Sequence, residues 1–181
     1  MLARGERRDD LVGMDRVRRD DADRVDLPVG ILGAVLPAAL GALLGLLAGY
    51  LGGWVDAVTM RLADVVQAFP SFILVIALVV AFGQGATSIV IAFTVLGWVA
   101  YARLVRTEVL RVRSLAYVEA AITAGLPTRT ILRRHILPNV LGSTIVFLPS
   151  DIVFATLGLA AFSFLGLGIP APTAEWGAMI S

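Results

Sequence analysis

Four stretches without a single charged side chain constrain this chain more than anything else in it: Leu27 to Val55, Val65 to Ala102, Ile136 to Ser150 and Ile152 to Ala174. The longer ones exceed the ~20 apolar residues that an α-helix needs to cross ~30 Å of hydrocarbon. Hydrophobic residues make up 58% of the chain, at a mean hydropathy of +0.86, well above the roughly 45–50% of a soluble domain. The chain therefore belongs in a bilayer. The first run follows 26 residues rich in charge and is itself followed by others, so none reads as a cleaved signal peptide. The expected fold is all-α, a polytopic transmembrane helical bundle of about four to five spans.

Charge adds exclusions. All 15 basic residues are Arg and none is Lys, at a formal net charge of +1. Without Lys there is no Walker A motif, whose Lys reaches nucleotide phosphates, and no Schiff-base chemistry. Without Cys there is no disulfide, thiolate ligand or cysteine nucleophile. The balanced net charge points to no nucleic-acid partner. The one histidine, His135, has no second ligand nearby in sequence and reads as packing or capping rather than metal binding.

Residues 1–26 carry seven Arg against eight Asp or Glu and read as a charged, disordered tail ahead of a membrane domain spanning 27–181. Pro28 to Leu51 suits a first helix of about 36 Å. Its Gly41, Gly45 and Gly49 permit close helix contact without naming a partner. After the Gly52-Gly53 turn, a second helix carries Asp56, Met60, Asp64 and Gln67 at helical spacing, a polar face that must meet protein or water. Pro70 should break or kink it before the apolar continuation Phe72 to Phe82, giving one long, bent span. A third span is expected from Ala86 to about Leu104, with Trp98 and Tyr101 as interfacial aromatics. A fourth runs from roughly Val140 to Leu167, with Pro149 and Asp151 near its middle. Asp64, Gln67 and Asp151 are the candidates for lining a translocation path.

Between Arg103 and Arg134, seven arginines against two glutamates leave a local charge of +5, whereas the Gly83-Gln84-Gly85 turn carries none. By the positive-inside rule the arginine-rich segment is cytoplasmic and the turn faces out. Within it, residues 117–124 can form a two-turn helix with Glu119 in its first turn, where the helix dipole favours an anion. Gly125 can take the left-handed conformation that ends such a helix. Pro127 suits the first turn of the next, with Thr128 as a cap, giving a helix-turn-helix over a loop of residues 103–138. A helix this short is unstable alone in water and must be held by packing. The small side chains of Ala120, Ala121 and Ala124 let another surface approach closely.

Glu119-Ala120-Ala121, three residues, Gly125, nine residues, then His135-Ile136-Leu137-Pro138 resembles the EAA motif of ABC importer permeases. The ending His-Ile-Leu-Pro-Asn is similar to the dipeptide, oligopeptide and nickel branch. Gly49 to Asp56 with Ala68-Phe69-Pro70-Ser71, and Phe162-Ser163-Phe164-Leu165-Gly166-Leu167-Gly168 through Trp176-Gly177, resemble two further segments of that branch. Against the family pattern the chain looks shortened at both ends, and Leu159 stands where relatives often have Glu.

The resemblance implies a permease subunit at the plasma membrane of a prokaryote, forming a translocation path with a second, homologous permease. An extracytoplasmic substrate-binding protein would deliver the solute, leaving peptides, nickel and other small solutes open. Two separate ATPase subunits would hold the ATP and Mg, and this chain would bind no cofactor. It implies ATPase coupling through Tyr117, Glu119, Ala120, Ala121, Gly125 and Pro138, with Arg129, Arg133 and Arg134 anchoring the loop at the membrane face. The rival readings are an intramembrane enzyme, for which no nucleophile-base set is recognisable, and a transport-incompetent scaffold that still docks an ATPase.

Overall fold

The structure is a computed structural model that describes the backbone of residues 2–168 and the side chains of Arg24 and of residues 26–168. Trp176 and Gly177 of the C-terminal signature lie outside the described residues. The elements are α1 (Leu2–Leu51), α2 (Gly53–Gln67), α3 (Ser71–Phe82), α4 (Ala86–Arg113), α5 (Ala116–Thr123), α6 (Thr128–Ile131), a π-helical turn (Leu132–Ile136) and α7 (Leu137–Phe164). Among the described residues all regular structure is helical, as the uncharged runs predict. Three segments are long and apolar enough to span a membrane, Asp26–Leu51, Ala86–Arg113 and Thr128–Phe164, and the α2–α3 pair makes a fourth if taken as one span.

Helix α1 runs parallel to α4 because its glycines let the two backbones touch. A Cβ on Gly41 would strike the Trp98 carbonyl, one on Gly45 the Ala102 carbonyl, and one on Gly49 would stand 2.8 Å from Val109 Cβ. The glycine ridge therefore has a partner, and it lies within this chain. Helix α7 runs the opposite way, with Thr156 against Gly30 at one end and Val140 beside Leu46 and Tyr50 at the other. Three apolar clusters fill the bundle in sequence along its axis. Val29, Val75, Val79, Ile89, Leu159 and Phe162 pack near the uncharged end, Ala63, Trp98, Val99 and Ala102 in the middle, and Val105, Val109, Val112, Val118, Ile131, Ile136 and Val140 at the arginine-rich end. Gln84 Nε2 donates to the Gly166 carbonyl at 2.7 Å, tying the two uncharged turns together.

Several expectations are corrected in detail. Helix α1 continues back to Leu2, so the backbone of the charged tail is helical here. The break expected at Pro70 is present, with two helices meeting at 88° over Ala68 to Pro70. Pro70 caps α3, which cannot continue α2 because proline lacks the N–H and crowds the preceding turn. Trp98 and Tyr101 are buried rather than interfacial, since α4 runs on to Arg113 and leaves them inside the bundle. Thr128 is not a cap: Pro127 occupies the cap position, and the helix that starts at Thr128 runs without interruption into the fourth span.

Candidate functional site

Helix α4 carries its chain past the apolar clusters, and after Ser114 and Leu115 the backbone turns into the two-turn helix α5. Val118 and Ala121 face inward against Val105, Val109, Val112, Ile131, Ile136 and Val140. Fully burying a valine such as Val118 contributes on the order of 1.5–3 kcal/mol, which holds in place a helix too short to persist alone. Tyr117, Glu119, Ala120, Ile122 and Ala124 face outward. The EAA triplet is thus split: Glu119 and Ala120 are presented, while Ala121 is 9% exposed and serves the bundle.

The end of α5 is built by a hydrogen-bond pair. The Leu126 N–H reaches the Ala121 carbonyl at 3.2 Å and the Gly125 N–H the Ile122 carbonyl at 3.0 Å, with Gly125 at φ +75°. This is a Schellman cap, and it needs a residue that tolerates positive φ. It reverses the chain into α6. Seven residues beyond the end of α6, Pro138 would lose a bond and crowd the Arg134 carbonyl in a regular α-helix. The widened turn at Leu132–Ile136, closed by Leu137 N–H on the Leu132 carbonyl, accommodates it. Pro138 therefore shapes the start of α7. Asn139 Nδ2 donates to the His135 carbonyl at 2.7 Å and to Tyr117 Oη at 3.3 Å, and the Tyr117 and His135 rings stand 5.9 Å apart. These contacts latch α5 to α7. Asn139 was not among the coupling candidates, and its place within the His-Ile-Leu-Pro-Asn ending was the signal available.

Each arginine of α4 has a partner. Arg106 pairs with Asp56 through both carboxylate oxygens, one contact being 2.6 Å, and Arg103 with Asp64 at 2.8 Å. Arg111 pairs with Glu108 at 2.7 Å, and Arg113 donates to the Tyr50 carbonyl at 2.9 Å while lying over the Tyr50 ring. On the polar face of α2, Asp56 and Asp64 thus meet protein, while Gln67 stays exposed. Of the path candidates, Asp64 is engaged by Arg103, Gln67 is exposed at the end of α2, and Asp151 on α7 faces the buried Tyr101 hydroxyl. The three do not assemble into one cluster through any described contact. Arg129, Arg133 and Arg134 are exposed and border an open cleft of about 380 Å³ with Thr130.

A bundle of membrane-length helices with a short helix packed on its arginine-rich end defines a polytopic membrane protein. Residues 41–181 match the family of binding-protein-dependent transport system inner membrane components, and the chain belongs to that family. It is 38% identical over 158 residues to the oligopeptide transport system permease protein OppC of Bacillus subtilis, covering 87% of this chain and 52% of that protein. The glutathione transport system permease protein GsiD of Pectobacterium atrosepticum is 40% identical over 176 residues, 94% of this chain and 58% of the relative. The metal-staphylopine import system permease protein CntC of Staphylococcus aureus is 40% identical over 127 residues, 70% and 44% respectively. The chain thus spans about half the length of the curated relatives it matches. A crystal structure described as an amino acid ABC transporter with histidines superposes at a TM-score of 0.67 and 15% identity, over 94% of this chain and 78% of that one, and supports the fold. The family is one of transport components rather than enzymes, as expected from the sequence.

Proposed function

We propose that this chain is a membrane-embedded permease of an ATP-driven importer in a prokaryotic plasma membrane, coupled through α5 to a separate ATPase subunit. The observation that carries the reading is the mounting of α5. Its inner face is buried against α4, the π-helical turn and α7 together, while Tyr117, Glu119, Ala120 and Ile122 remain outside for a partner. A force on that outer face moves two membrane helices as a unit, the kind of rigid-body switching that alternating access uses. ATP and Mg would reside on two ATPase subunits, and a second permease and an external binding protein would complete the path and supply the solute. The named relatives handle oligopeptides, glutathione and metal–staphylopine, so a peptide-like solute is the substrate class favoured for this chain.

The test is co-expression with the candidate ATPase and the other importer subunits, followed by reconstitution. Glu119→Ala and Gly125→Pro are expected to weaken ATPase retention and to disconnect ATP hydrolysis from uptake by at least about ten-fold, the equivalent of 1.4 kcal/mol of lost coupling. Wild-type uptake per ATP in both variants would refute the assignment.

A further inference from the structure

We infer that Arg129, Arg133 and Arg134 form a site for the phosphate group of an anionic lipid headgroup. Arg129 and Arg133 share a helix face at i,i+4 spacing, but in a regular α-helix Arg134 would point about 140° away from Arg129. The π-helical turn at Leu132–Ile136, which contains Arg133 and Arg134 and follows Arg129 in α6, departs from that regular spacing. All three arginines border one cleft of about 380 Å³ together with Thr130.

Nothing in the described structure neutralises them, and unlike the exposed Arg61 they border a shared cleft. Arg103, Arg106 and Arg111 have carboxylate partners and Arg113 has the Tyr50 carbonyl and ring. No ion pair or hydrogen bond reaches the side chains of Arg129, Arg133 or Arg134 among the described residues, and no Asp or Glu lies in sequence between Glu119 and Asp151.

Their depth selects the ligand. They sit in the first two turns of the 37-residue helical segment Thr128–Phe164, at the arginine-rich end, immediately before the uncharged run that starts at Ile136. A segment of that length measures about 55 Å, so with ~30 Å in hydrocarbon its first turns stand at headgroup level. Guanidinium forks suit phosphate oxygens, and the Thr130 hydroxyl at the rim adds a donor. An acidic protein surface is the weaker alternative, because the outward residues of the docking helix are Tyr117, Glu119, Ala120 and Ile122 rather than these arginines.

The test reconstitutes the full chain in phosphatidylcholine vesicles containing spin-labelled phosphatidylglycerol or spin-labelled phosphatidylcholine, and reads the motionally restricted fraction of each. Enrichment of phosphatidylglycerol by roughly five-fold is expected, the factor one arginine supplies at an anionic surface. It should vanish in the Arg129→Gln, Arg133→Gln, Arg134→Gln triple variant and persist in Arg61→Gln, an exposed arginine outside the cleft. If the triple variant aggregates, the three single variants should each lose part of the enrichment. Equal association of the two lipids with the wild type, full enrichment in the arginine variants, or the same loss in Arg61→Gln would each overturn the site. Displacement by inorganic phosphate at matched ionic strength would assign it to a soluble phosphate and overturn the lipid source. Loss of ATPase retention in the triple variant with lipid preference unchanged would assign the arginines to a protein surface instead.

Discussion

Single positions in this chain divide by what their backbone and neighbours demand. Gly125 holds φ +75° with open space around it, so a side chain there meets no wall and only the backbone objects. Gly125→Ala is expected to cost about 1–2 kcal/mol, the penalty of a left-handed conformation for an L-residue. Gly142, on α7 with equally open space and no positive φ, is the control, and alanine there should be neutral or slightly stabilising, by up to ~1 kcal/mol. Hydrogen exchange of the α5 amides in the two variants distinguishes these outcomes. The Asp56–Arg106 pair is a different case, with side chains 23% and 31% exposed. A double-mutant cycle with Asp56→Asn and Arg106→Gln should give a coupling of about 1–2 kcal/mol, against under about 1 kcal/mol for the more exposed Asp64–Arg103 pair. Thermal melts in detergent provide both numbers, and equal couplings would show that partial burial adds nothing here.

Among the elements, the most legible in the sequence were those with a local cause. Pro70 lacks an N–H, so the break between α2 and α3 followed from one residue, and Gly125 gave the end of α5 for the same kind of reason. The 88° angle was not legible, because it depends on α2 lying along α4 through Asp56–Arg106 and Asp64–Arg103, pairs formed between residues 39 and 50 positions apart. Trp98 and Tyr101 misled because aromatic residues near the end of an apolar run resemble an interfacial belt, and only the continuation of α4 to Arg113 places them inside. Helix α5 was legible as an element, but not the split of its triplet, since which of Ala120 and Ala121 turns inward depends on Val105, Ile131 and Val140, brought from three other segments. The glycine ridge of α1 supplies the test at this scale. Gly45→Leu would drive a branched side chain into the Ala102 backbone, which cannot yield as a flexible side chain could. Overpacking of this kind typically costs about 1–3 kcal/mol, so the variant should melt lower than Gly142→Leu, and equal melting would mean that α1 and α4 do not pack on this ridge.

For the whole molecule, the parallel course of α1 and α4 and the reversed course of α7 fix which turns share a side. Gly83 to Gly85 and Leu165 to Leu167 meet through Gln84 at one end, while α5 and Arg129 to Arg134 lie at the other. Charge predicts the direction, since the arginine-rich end should stay in the cytoplasm. The absence of cysteine makes the prediction directly measurable, because each introduced thiol is the only one present. Gln84→Cys and Leu165→Cys are expected to react with a membrane-impermeant maleimide added outside intact spheroplasts, and Ile122→Cys and Thr128→Cys only after inversion of the membrane. All four native residues are exposed, so burial within the chain cannot mimic protection by the bilayer. Labelling of Gln84→Cys and Ile122→Cys from the same side would contradict the bundle itself. Labelling of each pair from the opposite side would keep the bundle and reverse its orientation, placing α5 beyond the reach of a cytoplasmic ATPase.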